Sequence, residues 1–223
     1  MIVQIYTFCE IEEALEAVEV GVDQIGFIVG RYGQVHGELG FDQARRLAAA
    51  LPSHVSSVAL TMATEIDEIV RMVNVVNPDI LHISTDPLDL DVEAMGTLRD
   101  HLAGQVKVMK AIPVAGEESI RMARTFSPVS DCLLLDTKIP GLPGVGATGR
   151  THDWKVSRRI VESVEIPVIL AGGLTPENVK QAIDIVQPAG VDSNTGTNLA
   201  NSPVEKDMNK IKRFAEAVRN ACA

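Results

Sequence analysis

The chain has 223 residues, of which 46% are hydrophobic, 22% are charged and only 4% are aromatic. This balance is typical of a globular protein with an aliphatic core, and the length suits one α/β barrel better than two ordinary domains. A formal net charge of −10 argues against non-specific binding to nucleic acid or to an anionic membrane. The sequence has no apolar run of 18 residues and no basic leader, so we expect a cytoplasmic protein without a membrane partner.

The three cysteines, Cys9, Cys132 and Cys222, stand far apart in the sequence. An odd number at this spacing matches neither a disulfide framework nor a metal-binding pattern, so we expect no metal site. Cys132 lies in an apolar run and is predicted to belong to the core.

Short apolar runs alternate with segments of helical period along the whole chain. The apolar runs predict strands at residues 2–6, 24–29, 55–60, 80–83, 106–111, 132–136, 167–171 and 190–193. The intervening and closing segments predict helices at residues 10–20, 41–50, 65–76, 92–102, 117–126, 153–164, 176–186 and about 204–218.

These eight β–α units in strict alternation predict the fold class. The strand runs are nearly continuous in apolar residues, as in parallel strands that are covered on one face and packed on the other. Eight units of about 28 residues are what a closed barrel needs. We therefore predict a single (β/α)8 TIM barrel, one domain over residues 1–223, with a doubly wound open sheet as the alternative.

The segment PVILAGGLTPENV, residues 167–179, ends a buried strand in two glycines before a helix. Gly172 and Gly173 let backbone amides approach a ligand with no Cβ in the way, and Thr175 is predicted to cap a helix that starts at Pro176. Amides arranged in this way form a concavity that binds anions. The alternative is an ordinary turn between a strand and a helix.

The next unit, GVDSNTGTNL at residues 190–199, repeats this composition. Its strand is followed by Asn194, Thr195 and Gly196, which are rich in hydrogen-bond donors and free of bulk. Loops after the seventh and eighth strands of such barrels frequently hold a phosphate group. The two loops together predict a phosphate site made by Gly172, Gly173, Asn194, Thr195 and Gly196.

Five segments carry a resemblance to a known family: EEALEAVEVGVDQIGFI, LLLDTK, GATGRTHDW, LAGGLTPENVKQAIDIVQPAGVD and TGTNLANSPVEKDMNKI. Together they resemble phosphoribosylanthranilate isomerase, a barrel enzyme of tryptophan biosynthesis, over nearly the whole chain. The resemblance implies an Amadori rearrangement, in which an acid protonates the furanose ring oxygen, the ring opens to a Schiff base, and a base removes the C2′ proton. It also implies that no metal or organic cofactor takes part.

The resemblance implies a general acid at Asp136, the aspartate of LLLDTK, although a carboxylate that merely caps the next loop is the alternative. The family's base is the cysteine of a VKICGIT segment on the first strand. The corresponding segment here, VQIYTFC, places Tyr6 at that position and Cys9 three residues later. Tyrosine starts near pKa ~10 and cysteine near ~8.5, so Tyr6 needs a large depression of its pKa to act as the base. Cys9 needs a loop that folds back over the barrel mouth.

The resemblance also implies residues that contact the substrate. Asp192 matches the family's aspartate on the eighth strand, near the reacting amine. Lys110 ends the fifth strand in VMKA, and we expect its charge to face the barrel mouth with Asp136 as its partner. His82 stands in ILHI where the family has QLHG, and it is either a structural residue at the strand end or a proton carrier.

The family's arginine, which grips the anthranilate carboxylate, is replaced by Gly37 in the segment GELGF. Arg31, six residues earlier, is the remaining candidate for this contact. Loss of a proton-abstracting residue typically costs about 10²–10⁴-fold in rate. The sequence therefore predicts weak or no turnover of phosphoribosylanthranilate unless the base and the arginine are both replaced.

Three functions stay open from the sequence. The first is an isomerase of the phosphoribosylanthranilate type, with Tyr6 or Cys9 as base and Arg31 at the carboxylate. The second is an enzyme of the same barrel family that acts on another phosphorylated sugar or small molecule. The third is a non-catalytic binder of phosphorylated metabolites. All three predict a phosphorylated small-molecule ligand, and we expect a monomer or a homodimer.

Overall fold

A computed structural model describes residues 1–30, 33, 35–138, 145–146 and 149–222. Over these residues, eight parallel strands form the wall of a barrel and alternate in sequence with eight α-helices. Strands β1 to β8 are Ile2–Ile5, Gln24–Val29, Ser56–Thr61, Ile80–Ile83, Lys107–Pro113, Cys132–Asp136, Val168–Leu170 and Gly190–Ser193. Helices α1 to α8 are Ile11–Glu19, Phe41–Ala50, Ile66–Val76, Val92–Leu102, Glu117–Phe126, Trp154–Val161, Val179–Val186 and Met208–Ala221.

Closure of the barrel decides between the two predicted architectures. Strand β1 pairs in parallel with both β2 and β8, so that Gln4 lies opposite Gln24 in one ladder and opposite Asp192 in the other. The order of the eight strands around the barrel follows the sequence. The predicted (β/α)8 barrel is therefore confirmed, and the open sheet is excluded.

Two layers of apolar side chains fill the molecule. The larger layer lies between the barrel wall and the helices, and it is mainly aliphatic. The smaller layer fills the barrel interior and consists of Tyr6, Val58, Ile80, Met109, Leu134, Ile169 and Ala171. Because side chains alternate between the two faces of a strand, the neighbour of each of these residues along its strand points towards the helices.

Two helices begin three or more residues later than the sequence predicts. Helix α7 starts at Val179, three residues after the predicted start, and α8 starts at Met208. Thr175 makes a bond of the predicted capping kind, since its hydroxyl oxygen accepts the Glu177 N–H at 3.2 Å, but residues 176–178 form a turn and the residue before α7 is Asn178. Asn178 Oδ1 accepts the Thr175 N–H at 2.8 Å in the same turn. Side-chain bonds of Thr and Asn to nearby backbone compete with a helix in this way.

Three short elements were not predicted. A two-residue strand, Glu38–Leu39, pairs with β2, and 3₁₀ helices form at Ser127–Val129 and Thr195–Thr197. The last of these directly follows β8 and belongs to the candidate site. Within the described ranges, no helix combines the length and the apolar character that crossing a membrane requires.

Candidate active site

The carboxyl ends of the strands, where barrels of this kind carry their active sites, surround two adjoining cavities. The first, which we call the inner pocket, is lined by Tyr6, Thr7, Ile28, Val35, Leu60, Met62, His82, Ser84, Leu134, Asp136, Val145, Gly146, Asp192 and Asn194. The second, which we call the cradle, is lined by Asp136, Gly149, Gly172, Gly173, Leu174, Asp192, Ser193, Asn194 and Thr195. Asp136, Asp192 and Asn194 line both cavities and therefore mark the junction between them.

Two glycines after β7 form one side of the cradle. Gly172 and Gly173 have φ angles of 87° and 62°, a backbone region that favours glycine. A Cβ on Gly173 would lie 2.7 Å from the carbonyl carbon of Arg150, and one on Gly172 would lie 2.8 Å from Thr137 Oγ1. The loop between β6 and α6 therefore packs directly on the backbone of these glycines.

The loop after β8 completes the cradle. Ser193 Oγ donates to the Leu174 carbonyl oxygen at 2.8 Å, and a Cβ on Gly196 would lie 2.1 Å from the same oxygen. These contacts join the loops after β7 and β8. The backbone N–H groups of Gly173, Thr195 and Gly196 have no hydrogen-bond partner among the described residues. Free N–H groups in a concavity of small residues can bind an anion such as phosphate.

Asp136 ends β6 at the junction of the two cavities. Its Oδ1 accepts the Thr137 N–H at 2.6 Å, and Gly146 packs so closely that a Cβ there would lie 2.3 Å from Oδ2. Burial raises the pKa of Asp136 to about 7, and the hydrogen bond from Thr137 opposes this only partly. A carboxyl group that keeps its proton near neutral pH is suited to general acid catalysis.

Asp192 lies on β8, on the other side of β7, and its side chain is buried. Gln4 Nε2 donates to its Oδ1 at 3.0 Å. Burial raises the pKa of Asp192 to about 8. The hydrogen bond from Gln4 lowers this pKa, the neighbouring Asp136 carboxyl raises it, and the Lys206 ammonium lowers it. Two carboxyl groups with raised pKa values thus share the junction.

Tyr6 and His82 form a hydrogen-bonded pair inside the barrel, with 2.8 Å between the Tyr6 hydroxyl oxygen and His82 Nδ1. Burial, with smaller effects of Asp192 and Cys132, raises the pKa of Tyr6 well above its ordinary value. Burial also lowers the pKa of His82 to about 3, so both groups are neutral at pH 7. A base at Tyr6 requires a depressed pKa, and the structure contradicts this because its environment acts in the opposite direction.

His82 also presents a second ring nitrogen. Its Nε2 is buried and has no hydrogen-bond partner among the described residues, and His82 lines the inner pocket. Because burial lowers its pKa to about 3, the neutral imidazole is not a strong acid at neutral pH.

Cys9 does not reach either cavity. Its Sγ lies 3.7 Å from the Gly37 carbonyl oxygen, and it lines neither the inner pocket nor the cradle. Burial, followed by the effect of Glu13, raises the pKa of the thiol. Cys9, the second predicted base, therefore lies away from the two cavities in which a substrate would bind. Gly37 packs against Thr7 and Cys9, and Arg31 lies outside the described residues.

Lys110 points away from the barrel mouth, contrary to the prediction. It follows Met109, which faces the interior, and so it faces the helices. Its Nζ donates to the Thr85 carbonyl oxygen at 2.5 Å and lies 5.6 Å from the centre of the Phe126 ring. Burial lowers its pKa to about 7. The ammonium is therefore not the partner of Asp136.

Lys206 is a site residue that the sequence analysis did not single out. Its buried Nζ contacts the Tyr6 carbonyl oxygen and donates to Asn194 Oδ1 at 3.2 Å and to Asn198 Oδ1 at 2.5 Å. These bonds tie the loop after β8 to the end of β1. The residue lies in one of the five resembling segments, but its spacing there gives no sign of burial.

The loop after β6 is also held by contacts that the sequence pattern does not show. Ser84 Oγ donates to the Val145 carbonyl oxygen at 2.9 Å, and the Val145 N–H donates to the Ser84 carbonyl oxygen at 3.0 Å. This pair fixes Val145 and Gly146 over the inner pocket. Within the described ranges, no cluster of His, Cys, Asp and Glu side chains is arranged to hold a metal ion.

The fold and the site together define a class of protein. It is a (β/α)8 barrel whose mouth joins a cradle of small residues to an inner pocket across two carboxyl groups. Residues 3–217 match the family model described as N-(5′-phosphoribosyl)anthranilate (PRA) isomerase. The chain belongs to the PRA isomerase family.

Individual members of this family are similar over the whole barrel. N-(5′-phosphoribosyl)anthranilate isomerase 2 of Methanosarcina mazei is 35% identical over 210 residues, which are 94% of this chain and 90% of that protein. The crystal structure of phosphoribosyl anthranilate isomerase from Thermotoga maritima has a TM-score of 0.80 and 29% identity, covering 99% of this chain and 100% of that one. A phosphoribosyl anthranilate isomerase in complex with reduced 1-(o-carboxyphenylamino)-1-deoxyribulose 5-phosphate has a TM-score of 0.79 and 26% identity, with the same coverage.

Proposed function

We propose that this chain isomerises N-(5′-phosphoribosyl)anthranilate in tryptophan biosynthesis. The observation that carries the proposal is the junction of the two cavities, where Asp136 and Asp192 stand between the cradle and the inner pocket. The ligand named for the similar complex joins a phosphate to a carboxyphenylamino group through a five-carbon sugar. A phosphate in the cradle and an aromatic amine in the inner pocket place such a sugar beside both carboxyl groups.

The phosphate is bound by the N–H groups of Gly173 and Thr195. These groups are free of other partners among the described residues and belong to residues that line the cradle, where Gly172 and Gly173 carry no Cβ atom. Asn194 adds an amide side chain whose oxygen is already engaged by Lys206. Backbone donors suit this task because they are fixed by the loops before the ligand arrives.

Asp136 acts as the general acid. It transfers its proton to the furanose ring oxygen, the bond from C1′ to that oxygen breaks, and the nitrogen lone pair forms the Schiff base. Since Oδ1 is engaged by the Thr137 N–H, the transferred proton is carried by Oδ2. Its pKa of about 7 means that this proton is present below pH 7 and is lost as the pH rises through that value.

Replacing Asp136 by asparagine tests this role. Asp136→Asn removes the transferable proton but keeps an oxygen for the Thr137 N–H. We expect kcat to fall by about 10²–10⁴-fold, the usual contribution of a positioned acid, with the circular dichroism spectrum unchanged. Turnover is followed by fluorescence, in which substrate and product differ. A variant that keeps near-normal turnover would remove Asp136 from the mechanism.

The aromatic end of the site favours a second candidate, an isomerase for a phosphoribosylated amine without a ring carboxylate. The described residues that line the inner pocket include two carboxyl groups and no lysine or arginine. Gly37, at the position of the family's arginine, packs against Cys9 instead. Comparing kcat/KM for the phosphoribosylated anthranilate and aniline separates the two candidates.

A further inference from the structure

Removal of the C2′ proton needs a base, and the following inference rests on the proposed function. We infer that Asp192 is the general base of this chain, in place of the cysteine that the family carries on the first strand. In the reaction its carboxylate takes the proton from C2′ of the Schiff base, and the electron pair of that C–H bond forms the C1′–C2′ double bond. The nitrogen recovers its lone pair, and the enol then becomes the ketone when its hydroxyl proton is lost and C1′ gains a proton.

The first support is that Asp192 lies at the same level of the barrel as Asp136, two strands away. Leu135 on β6 lies opposite Leu170 on β7, and Leu170 lies opposite Val191 on β8. The residues that follow, Asp136, Ala171 and Asp192, therefore stand at one level on three neighbouring strands. Adjacent strands are ~4.8 Å apart, so the two acidic residues are roughly 10 Å apart at the backbone.

The middle residue of this row leaves the space between the carboxyl groups open. Ala171 has only a methyl group, and Gly172 after it has none. Both carboxyl groups line both cavities. A sugar that connects the cradle to the inner pocket thus passes between an acid on one side and a second carboxyl group on the other. Protonation of the ring oxygen needs an acid and removal of the C2′ proton needs a base, and both groups must reach the same sugar.

The second support is the orientation of the Asp192 carboxyl. Gln4 Nε2 holds Oδ1 at 3.0 Å, and no hydrogen bond from a described residue engages Oδ2. Gln4 lies directly opposite Asp192 in the β1–β8 ladder, so the contact is fixed by strand register. One oxygen is therefore anchored by an amide, and the other is left for the substrate.

The third support is that the other candidates are unsuitable. Tyr6 is neutral and hydrogen-bonded to His82, and Cys9 lies outside both cavities against Gly37. Asp192 faces Tyr6 at the end of β1, Asp136 from β6 and the Lys206 ammonium from the segment before α8. The hydrogen bond from Gln4 and the Lys206 ammonium favour the ionised form that a base requires, against burial and the Asp136 carboxyl, which together raise the pKa of Asp192 to about 8.

The pH dependence of kcat/KM follows from the two carboxyl groups. The active form has Asp192 ionised and Asp136 protonated. This form exists only when the pair holds a single proton, and because the pKa of Asp192 (about 8) is above that of Asp136 (about 7), the proton lies on Asp136 in the smaller share of the singly protonated molecules. At low pH both groups are protonated and no base is present, whereas at high pH both are ionised and no acid is present. We expect a bell-shaped profile with its maximum between the two ionisations.

The test uses Asp192→Asn in the full-length protein, with Cys9→Ser as the control. The asparagine oxygen can still accept the hydrogen bond from Gln4, so we expect the fold to be preserved. Binding of inorganic phosphate, measured by calorimetry, checks that the variant is folded. We expect kcat to fall by about 10²–10⁴-fold and the rising limb of the pH profile to disappear. Cys9→Ser should retain wild-type kcat, since the thiol lines neither cavity.

Two further readouts separate a base from a structural carboxylate. With Asp192→Asn the Schiff base still forms, so borohydride should trap a reduced adduct detectable by mass spectrometry, whereas Asp136→Asn should give none. Formate should restore activity to Asp192→Ala, and it should have no effect on Asp136→Asn.

If wild type turns over phosphoribosylanthranilate and Asp192→Asn keeps near-normal activity, Asp192 is not the base. The proposed function would still hold. Loss of activity without a trapped adduct would also overturn the assignment, because Asp192 would then be needed before the ring opens. If wild type shows no turnover of phosphoribosylanthranilate, the proposed function and the base assignment both fail.

Discussion

Individual side chains at the barrel mouth are set by the alternation of the strands. Tyr6 and His82 face the interior, so they meet each other across the barrel. Lys110 is one residue beyond an interior position, and its amine reaches the Thr85 carbonyl on the helix side. In a strand that is apolar on both faces, the sequence does not say which face a polar residue takes. The predicted contact between Lys110 and Asp136 failed for this reason.

Replacing Tyr6 by phenylalanine separates a structural tyrosine from a catalytic one. Tyr6→Phe leaves the buried His82 Nδ1 without its hydrogen-bond partner, so the free energy of unfolding should fall by about 1–3 kcal/mol. If the phenol is no base, kcat should fall by less than about tenfold, far from the 10²–10⁴-fold cost of losing a base. Urea unfolding and steady-state kinetics measure the two effects. A drop in kcat of a thousandfold at unchanged stability would return the base role to Tyr6.

The loops after β7 and β8 act together as one element. The Ser193 hydroxyl and Gly196 both contact the Leu174 carbonyl oxygen, and Lys206 binds Asn194 from the segment before α8. The small residues that the sequence marks for phosphate binding do line the cradle, apart from Gly196, which packs behind it. Phosphate binding at these residues stays a prediction.

The start of α7 was predicted too early because the side-chain bonds of Thr175 and Asn178 hold residues 176–178 in a turn.

Gly173→Ala tests the cradle against a matched control. Gly173 and Gly104 have φ angles of 62° and 77°, so alanine suffers similar backbone strain at both. A Cβ at Gly173 meets the backbone of Arg150 and Thr151, whereas a Cβ at Gly104 meets nothing within 4 Å. We expect Gly173→Ala to weaken the binding of inorganic phosphate by at least tenfold and Gly104→Ala to leave it unchanged. Equal affinities in titration calorimetry would place the phosphate elsewhere.

At the scale of the whole molecule, the sequence predicts the architecture well. Strict alternation of apolar runs and helical segments gives all eight strands and eight helices of the barrel. The catalytic face is less predictable, because Asp136 and Asp192 are 56 positions apart in the chain and meet only through the register of β6, β7 and β8. The weak turnover expected from the missing cysteine assumes that Tyr6 or Cys9 must replace it. A base at Asp192 removes that assumption.

Steady-state turnover of phosphoribosylanthranilate by the wild-type protein is the most direct test of whether this barrel is a working PRA isomerase. The rate of Asp136→Asn gives the background without the general acid. The rate with the phosphoribosylated aniline shows how much the ring carboxylate of the substrate contributes. We predict a kcat in the ordinary enzyme range, roughly 1–10³ s⁻¹, for the anthranilate substrate. A wild-type rate no higher than that of Asp136→Asn would contradict this activity. Turnover of the phosphoribosylated aniline alone would mean that the substrate is an amine without the ring carboxylate.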